Sequence, residues 1–394
     1  MRNSFVNVRA DENNPKWQNI IKRENALYSR NNDIRSEFER DYTRIIHSTA
    51  YRRLKHKTQV FFSPENDHIC TRIEHVVLVE SISYTIANYL GLNTELTKAI
   101  ATAHDIGHSP FGHQGEKILS EISKRDFGKT FWHERNGLDT VDKIELLEDD
   151  KKNLQNLNLT YAVRDGIISH CGEIDENNLR PRDEAIDLQT EYLTPNQYAP
   201  YTWEACVVKI ADKISYLGRD IEDAITMGIL DEHLEELYKV LKTDSDEVIN
   251  NTVIINNLIA DLCNNSSPEK GLCFSDEMFE KIKEIKKFNY KYIYFSEKLT
   301  PSLEYFKLVL NQIYNTLKKA YKNREKMEEL YPELFKDFFK WFDEYTITKR
   351  SGKFKNKAVF NPDDEKDFYN AVIYYIAGMT DNYAIKVYNS IIRS

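Results

Sequence analysis

The sequence is poor in residues that break helices and in residues that cross-link chains. Its 394 residues include 13 glycines, 10 prolines and five cysteines, and no two cysteines form a C-x-x-C pair. Scarce glycine and proline indicate a mostly helical chain. Scattered cysteines in odd number, with no signal peptide before them, predict a reduced cytoplasmic compartment. No apolar run reaches the length of a transmembrane helix, so we expect no membrane contact.

The chain also lacks a net positive charge. Its formal charge is -9, with 41% hydrophobic and 30% charged residues. An acidic globular protein has no general attraction to nucleic acid or anionic lipid. A local exception is the basic cluster R-R-L-K-H-K at residues 52–57. This cluster has two interpretations, a solvated helix face or one wall of a triphosphate site, and it leaves weak binding of single-stranded DNA open.

The densest group of chemical side chains lies in residues 101–117, A-T-A-H-D-I-G-H-S-P-F-G-H-Q-G-E-K. The adjacent His104 and Asp105 end an apolar helical run, and an imidazole beside a carboxylate suits a divalent cation. A solvated surface pair is the simpler interpretation of an isolated His-Asp dipeptide. Burial at the end of an apolar helix favours a metal site instead, because an unpaired buried carboxylate is costly.

More titratable groups follow this pair on a turn rich in glycine and proline. We expect a second helix to start near His113, which places Glu116 beside that histidine at the i,i+3 spacing. A carboxylate in that position fixes the tautomer of the imidazole and raises its basicity. His108 lies on the turn between the two helices.

Two further predicted helices carry candidate partners for the His-Asp pair. His75 lies on the apolar stripe of a helix predicted over residues 71–90, where a lone histidine is usually a core residue. In residues 204–224, positions 212, 216 and 220 share one face, nearly opposite an apolar stripe. That face is either solvated or a cavity wall on which Asp212 supplies a metal ligand.

The periodicity predicts an all-α protein with an N-terminal arm over residues 1–33, a core over 34–230 and a helical C-terminal region over 231–394, forming a single structural unit. Thr94 is the expected N-cap of the helix that ends in the His-Asp pair. Residues 59–62 predict a short β-like run, followed by a turn at 63–64, and residues 177–200 a long loop. The predicted helices cover residues 34–54, 71–90, 94–105, 161–170, 204–224, 231–263 and 277–322.

Four separated segments keep a recognisable order along the chain. They are R-x-I-H-S-T-A-Y-R-R-L-K-H-K-T-Q-V; T-R-I-E-H followed by A-H-D-I-G-H-S-P-F-G-H-Q-G-E; A-D-K-I-S-Y-x-x-R-D-I-E-D-A; and Y-I-A-G-M-T-D. Together they resemble the deoxyguanosinetriphosphate triphosphohydrolase family of the HD-domain superfamily. The resemblance implies a helical HD phosphohydrolase core with a helical C-terminal elaboration. It also implies hydrolysis of a deoxynucleoside triphosphate to the deoxynucleoside and inorganic triphosphate.

The same resemblance implies roles for residues of the four segments. His113 matches the catalytic histidine, which either protonates the leaving O5′ or acts as a nucleophile, and Glu116 orients it. His108 falls on the same motif, and His133 with Glu134 matches a pair that lines the phosphate site. The implied metal ligands are His75, His104, Asp105 and Asp212.

Substrate contacts are implied in the same way. Gln59 and Asp220 resemble residues that bond the sugar 3′-OH, and Tyr216 resembles a tyrosine that leaves no room for a 2′-OH. The positions that match phosphate contacts are Arg72, Lys213, Tyr290 and Lys291.

The implied cofactor is a divalent metal, Mn2+ or Mg2+ first, with Fe, Ni, Co or Zn also compatible with histidine ligands. The implied partners are a dNTP substrate, a dNTP effector at a subunit interface and other copies of the chain in a hexamer or tetramer. Two alternatives stay open. One is another HD-type phosphodiesterase or nucleotidase, and the other is a nucleotide sensor or single-stranded nucleic-acid binder on the same scaffold.

Overall fold

The computed structural model describes residues 2–27, 33–62, 66, 68–170, 177–241, 251–346 and 351–393. Across these residues the protein has 17 α-helices and a two-stranded antiparallel sheet. The predicted all-α fold class is therefore confirmed. No described helix combines the length and apolar character needed to cross a membrane.

Nine of the described helices precede residue 227, and the small sheet pairs β1 (Leu146–Glu148) with β2 (Leu154–Asn156). A π-helical turn, Thr140–Ile144, continues the seventh helix. The bounds are α1 Trp17–Ile20, α2 Glu37–His47, α3 Thr49–Arg53, α4 Arg72–Leu90, α5 Thr94–Ala103, α6 Gly112–Phe127, α7 His133–Asp139, α8 Tyr161–Ser169 and α9 Trp203–Thr226.

Eight more helices follow, and a second π-helical turn, Tyr290–Tyr294, extends one of them. Their bounds are α10 Leu234–Leu241, α11 Asn251–Asn265, α12 Asp276–Asn289, α13 Thr300–Lys318, α14 Arg324–Leu330, α15 Pro332–Asp343, α16 Glu365–Ala377 and α17 Asp381–Arg393.

Side-chain caps explain where several helices start and stop. A Thr71–Glu74 capping box opens α4, and Gly91, with φ at +82°, closes it in the left-handed conformation that glycine tolerates best. The predicted cap of α5 was wrong by one position. Asn93 rather than Thr94 is the N-cap. Its side-chain oxygen accepts hydrogen bonds from the backbone N–H groups of Glu95 and Leu96.

The β-like run predicted at residues 59–62 was also wrong. The structure has only a single bridge between Thr58 and Thr71 in this part of the described chain. The guanidinium of Arg72 donates to the carbonyl oxygens of Thr58 and Gln59, at 3.3 and 2.9 Å. These carbonyls are therefore bonded to a side chain instead of a neighbouring strand. The predicted turn at residues 63–64 lies outside the described residues.

Buried side chains form two hydrophobic clusters, and α6 belongs to the second of them. The first cluster takes in α4, α5, α8 and α9, together with α10 to α12. The second joins α6 to α13 and α15 to α17. The helix that carries His113 and Glu116 thus packs on the C-terminal helices, while the His104–Asp105 turn follows a helix of the first cluster. The site lies where the two clusters meet.

The N-terminal residues pack on this core. Phe5 is fully buried, and its backbone N–H donates to the carbonyl of Leu90 at 2.9 Å. The buried carboxylate of Glu204 on α9 accepts from the backbone N–H of Ala10 at 2.9 Å. The predicted loop at residues 177–200 contains no helix or named strand, and Arg182 ties it to Asp165 on α8 at 2.5 Å. The predicted domain boundaries stay predictions.

Candidate metal and catalytic site

Four side chains that are separate in sequence converge beside the end of α5. His75 comes from α4, His104 and Asp105 from the turn after α5, and Asp212 from α9. The Nε2 atom of His75 lies 2.9 Å from Asp212 Oδ1 and 3.6 Å from Asp105 Oδ2. His104 Nε2 lies 3.6 Å from Asp105 Oδ1 and 3.8 Å from Asp212 Oδ1. His75, His104 and Asp212 form one possible metal-ligand group, and His104 with Asp105 belongs to a second, so the two groups share His104.

The donor atoms of this cluster suit a divalent cation. The ring Nδ1 of His104 contacts the carbonyl of Ala101 at 2.6 Å, so that nitrogen carries the proton and Nε2 presents a lone pair. That Nε2 is buried and has no hydrogen-bond partner among the described residues. Ser215 lies 3.3 Å from Nδ1 of His75 and orients the second ring in a similar way. An orphaned imidazole nitrogen between two carboxylates is what a metal-ligand set requires.

The two carboxyl groups are held in the ionised form that metal binding needs. Burial raises the pKa of Asp105, but the interactions with His108, Arg72 and His104 more than offset this and hold the pKa well below its usual range. For Asp212, burial is likewise offset by the hydrogen bond and charge of His75, which lower the pKa to about 2. Both side chains therefore present negative oxygen ligands at neutral pH.

His170, at the end of α8, also lies beside the cluster and was not among the predicted site residues. Its ligand atom lies within 4.8 Å of those of His104 and Asp105. The carbonyl of Ile167 contacts its Nδ1 at 2.8 Å, which leaves Nε2 available. Burial lowers the pKa of His170 to about 3, so the ring is neutral. Its position directly after an apolar helix, like that of His104, was the available signal.

A second group of histidines surrounds Glu116 on α6. Its Oε2 lies 2.9 Å from Nδ1 of His133 and 3.5 Å from Nδ1 of His113. Glu134 adds a carboxylate oxygen 3.4 Å from the same atom of His133. His113 is the accessible member, with 63% of its side chain exposed, whereas His133 is buried. The predicted His113–Glu116 pair is therefore brought together, with His133 as a third partner.

His108 connects the two groups. Its Nε2 lies 3.0 Å from Asp105 Oδ1, and its ring stacks on that of His133 with centroids 3.8 Å apart. Burial and the charge of Arg72 lower the pKa of His108 well below its usual value, so the ring stays neutral. A neutral ring that bonds Asp105 and supports His133 couples the metal cluster to the group around Glu116.

Two glycines allow the turn between α5 and α6 to be this compact. A Cβ atom at Gly107 would lie 2.1 Å from both the carbonyl oxygen of His133 and the backbone nitrogen of Gly137. At Gly115 it would lie 1.8 Å from the carbonyl oxygen of Pro110. Any larger side chain would separate the turn from α7 or distort its own backbone. Close backbone contacts thus explain Gly107 in the turn and Gly115 at the start of α6.

Two of the residues predicted to read the sugar, Tyr216 and Asp220, lie on α9, and the third, Gln59, precedes α4. Asp220 is buried, and the hydroxyl of Tyr294 donates to its Oδ2 at 2.5 Å. Burial raises the pKa of Asp220 to about 6. Tyr216 lies one helical turn before Asp220 and is partly buried. Gln59 is also buried, and its side-chain oxygen has no hydrogen-bond partner among the described residues.

The predicted phosphate contacts are less uniform. Arg72 is buried and bonds Asp105 at 2.6 Å, so it neutralises that carboxylate from within the protein. Lys213 is buried on α9 next to Asp212. Tyr290 packs edge-on against Tyr294, with centroids 5.2 Å apart.

Lys291, the last predicted phosphate contact, is exposed and bonds the hydroxyl of Tyr292 at 2.7 Å. No described contact joins it to the histidine groups. Tyr294, which the sequence interpretation missed, is the residue of this segment that reaches Asp220. A tyrosine four positions from Tyr290 was the available signal.

The basic residues at 52–57 do not act as one surface, neither as a solvated helix face nor as a wall of a triphosphate site. Arg52 and Lys55 are exposed, whereas Arg53 pairs with Glu145 at 2.8 Å. Lys57 is buried, and its ammonium donates to the carbonyl oxygens of His108 and Ala377. Burial lowers the pKa of Lys57 to about 7. This lysine therefore bridges the turn after α5 and the end of α16.

Comparison with known proteins agrees with this geometry. Residues 72–217 match the HD domain. The chain is 35% identical over 361 residues to a deoxyguanosinetriphosphate triphosphohydrolase-like protein of Caldanaerobacter subterraneus subsp. tengcongensis, covering 91% of this chain and 86% of the relative. A protein of the same name from Rickettsia felis is 32% identical over 374 residues, covering 91% and 92%.

A third relative with that name, from Desulfatibacillum aliphaticivorans, is 37% identical over 266 residues, or 66% of this chain and 67% of the relative. The similarity extends well beyond the HD domain into the C-terminal helices. The HD domain and these relatives support a phosphohydrolase whose activity depends on a metal. The chain therefore belongs to the deoxyguanosinetriphosphate triphosphohydrolase-like family of HD-domain proteins.

Proposed function

We propose that the protein hydrolyses deoxynucleoside triphosphates, dGTP and other dNTPs, to the deoxynucleoside and inorganic triphosphate. In this reaction water attacks the α-phosphorus, the bond between phosphorus and O5′ breaks, and O5′ leaves with a proton. The observation that carries the proposal is that the possible metal ligands lie directly beside the histidines around Glu116. A ligand set of imidazoles and carboxylates is joined through His108 to an accessible His113 that pairs with Glu116.

The metal ligands in this proposal are His75, His104, Asp105 and Asp212. A divalent ion held there would polarise an α-phosphate oxygen and lower the pKa of a bound water. Arg72 supports the set by bonding Asp105 at 2.6 Å, which fixes the orientation of the carboxylate. We propose Mn2+ or Mg2+ as the native ion, and the two histidines also accept Fe, Ni, Co or Zn.

Proton transfer to O5′ is assigned to His113. Its exposed ring is free to approach a bound substrate, and Glu116 holds it from one side at 3.5 Å. Burial raises the pKa of Glu116, but the charges and hydrogen bonds of His133 and His113 keep it well below its usual range. An ionised carboxylate stabilises the protonated imidazole that donates to the leaving group. His133 and Glu134 line the neighbouring phosphate region.

Selection of deoxyribose is assigned to Gln59 and to two residues of α9. The buried side-chain oxygen of Gln59 and the carboxyl of Asp220 are acceptors for the 3′-OH. Tyr216 is assigned to pack against C2′, where a ribose hydroxyl would clash. Lys213 and Tyr290 are proposed phosphate contacts, and Lys291 is proposed with them.

The test is to incubate purified protein with the four dNTPs, singly and mixed, in Mn2+ or Mg2+, and to separate products by ion-exchange chromatography. Deoxynucleoside and triphosphate in equal amounts support the proposal. Activity in the mixture alone supports a dNTP effector site as well. Orthophosphate or a nucleoside monophosphate as the product contradicts it. An Asp105→Asn variant controls for contaminating phosphatases, because it removes a proposed metal ligand.

The remaining family properties stay predictions. We propose a homo-oligomer, a hexamer or tetramer, with an effector dNTP between subunits, and a cytoplasmic location. Sedimentation with and without dNTPs tests the assembly. Weak binding of single-stranded DNA is tested by its salt dependence, which is steep when phosphate contacts dominate.

A further inference from the structure

We propose that Asp381, in the I-A-G-M-T-D segment near the C-terminus, is a positioning residue that sets the spacing between Gln59 and His113. These two residues are proposed to act on opposite ends of the same deoxyribose, the 3′-OH and O5′. The inference therefore rests on the proposed function and deepens it. It gives a role in substrate selection to a segment that contributes no side chain to the metal or histidine groups.

Asp381 bonds two separate segments of the site at once. It is the first residue of α17 and is 4% exposed. Its Oδ2 accepts from the backbone N–H and the hydroxyl of Thr58, at 2.8 and 2.5 Å. Its Oδ1 accepts from the backbone N–H of Phe111 at 2.9 Å. Thr58 directly precedes Gln59, and Phe111 lies two residues before His113.

The two segments that Asp381 holds are in direct contact. A Cβ atom at Gly112 would lie 2.9 Å from the carbonyl oxygen of Gln59 and 3.4 Å from that of Thr58. Phe111 and Gly112 both have positive φ, +63° and +56°, so the start of α6 is a sharply bent backbone. A small rotation of this bend would move His113 relative to Gln59. The bond from Phe111 to Asp381 fixes the bend at its first residue.

A carboxylate is the side chain that this position requires. All three hydrogen-bond partners of Asp381 are donors, so both of its oxygens must accept. Asparagine would turn an NH2 group toward one of these donors and satisfy only the other segment. The bond to Thr58 or the bond to Phe111 would then be lost, and the segments would no longer be held together.

Lys57, a cation, also holds the Gln59 segment, the turn after α5 and the C-terminal helices together. It precedes Thr58, and its ammonium donates to the carbonyl of His108 on the catalytic turn and to that of Ala377 at the end of α16. The short link between α16 and α17 is therefore bonded at both ends. Lys57 bonds it at Ala377, and Thr58 and Phe111 bond it at Asp381. The C-terminal helices act on the site through this link.

The chain offers a matched control with nearly the same bonding. Asp41 on α2 is fully buried, and its Oδ2 accepts from the backbone N–H and hydroxyl of Thr160, at 2.9 and 2.7 Å. Its Oδ1 accepts from Arg23 at 2.5 Å. It is thus an Asp–Thr clamp of the same type, but Thr160 opens α8 and contributes nothing to the proposed substrate contacts. Asp41→Asn should lower stability without changing selectivity.

The experiment measures kcat and KM of the wild type, Asp381→Asn and Asp41→Asn with the preferred dNTP and with its 2′,3′-dideoxy analogue. The dideoxy analogue lacks the 3′-OH, so the ratio of the two kcat/KM values reports the contacts with the proposed 3′-OH acceptors, Gln59 and Asp220, of which only Gln59 is next to a partner of Asp381. We expect Asp381→Asn to lower this ratio and kcat about tenfold each, the size of effect of a lost hydrogen bond to a charged group. Asp41→Asn should keep the wild-type ratio at a comparable loss of Tm.

Thr58→Val is the milder second variant, because it removes only the hydroxyl bond and keeps the backbone bond to Asp381. It should lower the same ratio about fivefold, less than Asp381→Asn does, because the backbone bonds of Thr58 and Phe111 to Asp381 remain. It decides the question if Asp381→Asn fails to fold. A wild-type ratio in every folded variant of Asp381 and Thr58 would overturn the positioning role. A wild type that releases no triphosphate from any dNTP would instead overturn the proposed function and this role together.

Discussion

Glu116 holds His133 with both of its carboxylate oxygens. Oε1 accepts from the backbone N–H of His133 at 3.1 Å, and Oε2 lies 2.9 Å from its ring Nδ1. The two residues belong to different helices, α6 and α7, so this carboxylate fixes the distance between them. The same Oε2 also faces His113, which means that one side chain controls the orientation of two histidines.

Replacement of Glu116 by glutamine should therefore remove general-acid catalysis without preventing substrate binding. The amide keeps the size of the side chain but loses the negative charge that stabilises a protonated His113. We expect kcat to fall about 100-fold with a small change in KM, the magnitude typical of a lost acid–base contribution. The measurement is steady-state kinetics with the preferred dNTP.

Glu121→Gln is the matched control for that variant. Glu121 lies on the same helix, is exposed and makes no described contact with the histidines. Its substitution should leave kcat and KM unchanged. Equal losses in the two variants, or wild-type kcat in Glu116→Gln, would contradict the assigned role of Glu116.

Metal binding should stabilise the folded protein, because the ligand set is assembled only in the native state. At a free Mn2+ concentration of 100 times Kd, the free energy of unfolding should rise by about 2.7 kcal/mol relative to the EDTA-treated protein. Asp212→Asn should lose most of this increase. Thermal unfolding of metal-free and metal-loaded protein measures it, and an unchanged Tm in the wild type would argue against the site.

The variant His170→Gln tests, in the same experiment, whether His170 is a metal ligand or only packs beside the site. If His170 adds a ligand atom to the His104–Asp105 pair, the variant should bind Mn2+ about 10-fold to 100-fold more weakly, as for loss of a supporting group around a metal. The exposed His47 provides the control, His47→Gln. Unchanged metal affinity, with a lower Tm of the metal-free protein, would make His170 a packing residue.

Tyr294→Phe should weaken substrate selection through Asp220. The tyrosine hydroxyl donates to the Asp220 carboxyl at 2.5 Å, and the variant leaves that buried carboxyl without its described donor. We expect kcat/KM for the preferred dNTP to fall about tenfold, the size of effect of a lost hydrogen bond to a charged group. The pKa of Asp220 should rise above about 6, since the bond from Tyr294 lowers it.

The control is Tyr292→Phe in the same π-helical turn. The hydroxyl of Tyr292 accepts from the exposed Lys291, and no described contact joins it to Asp220. Its loss should leave kcat/KM unchanged. A larger effect in Tyr292→Phe than in Tyr294→Phe would reverse the assignment and favour a phosphate role for Lys291.

Asp223 should make stability depend on pH. Burial raises the pKa of Asp223 to about 7. The folded state then holds a proton that the unfolded state, with a pKa near the ordinary value of 3.8, releases at lower pH. The stabilising contribution of Asp223 is therefore present below about pH 4 and is lost as pH rises through about 7.

Asp223→Asn should remove this dependence, because the amide does not titrate and still accepts from the backbone N–H of Cys70. Urea unfolding of both proteins at several pH values measures the difference. The stability of the variant relative to the wild type should rise with pH. The exposed Glu222→Gln is the control, and a constant difference across the pH range would contradict the prediction.

The sequence predicted the helices and the site partners where local pattern and chemistry agree. His75 lies on the apolar stripe of α4, and His104 comes directly after the apolar helix α5. Periodicity therefore predicted that both would be buried. Convergence with Asp212, more than 100 residues away in the chain, required the family resemblance. The structure brings these residues together, and their binding of a metal stays a prediction.

Other features depend on contacts that no local pattern records. Residues 59–62 have side chains typical of strands, but the guanidinium of Arg72 donates to the carbonyl oxygens of Thr58 and Gln59, where a neighbouring strand would bond. His170 ends an apolar helix as core histidines commonly do, and Tyr294 is one of many aromatic residues in its segment. Asp381 resembles an ordinary helix-opening aspartate until its partners Thr58 and Phe111 are seen.

The most direct test of the central claim is to carry out hydrolysis of the preferred dNTP in water enriched in oxygen-18 and to analyse both products by mass spectrometry. Attack at the α-phosphorus places one labelled oxygen in the triphosphate and none in the deoxynucleoside. That is the result this account predicts, with the label absent when Asp105→Asn replaces the wild type. Labelled orthophosphate, or label in the deoxynucleoside, would show that a different bond breaks and would contradict it.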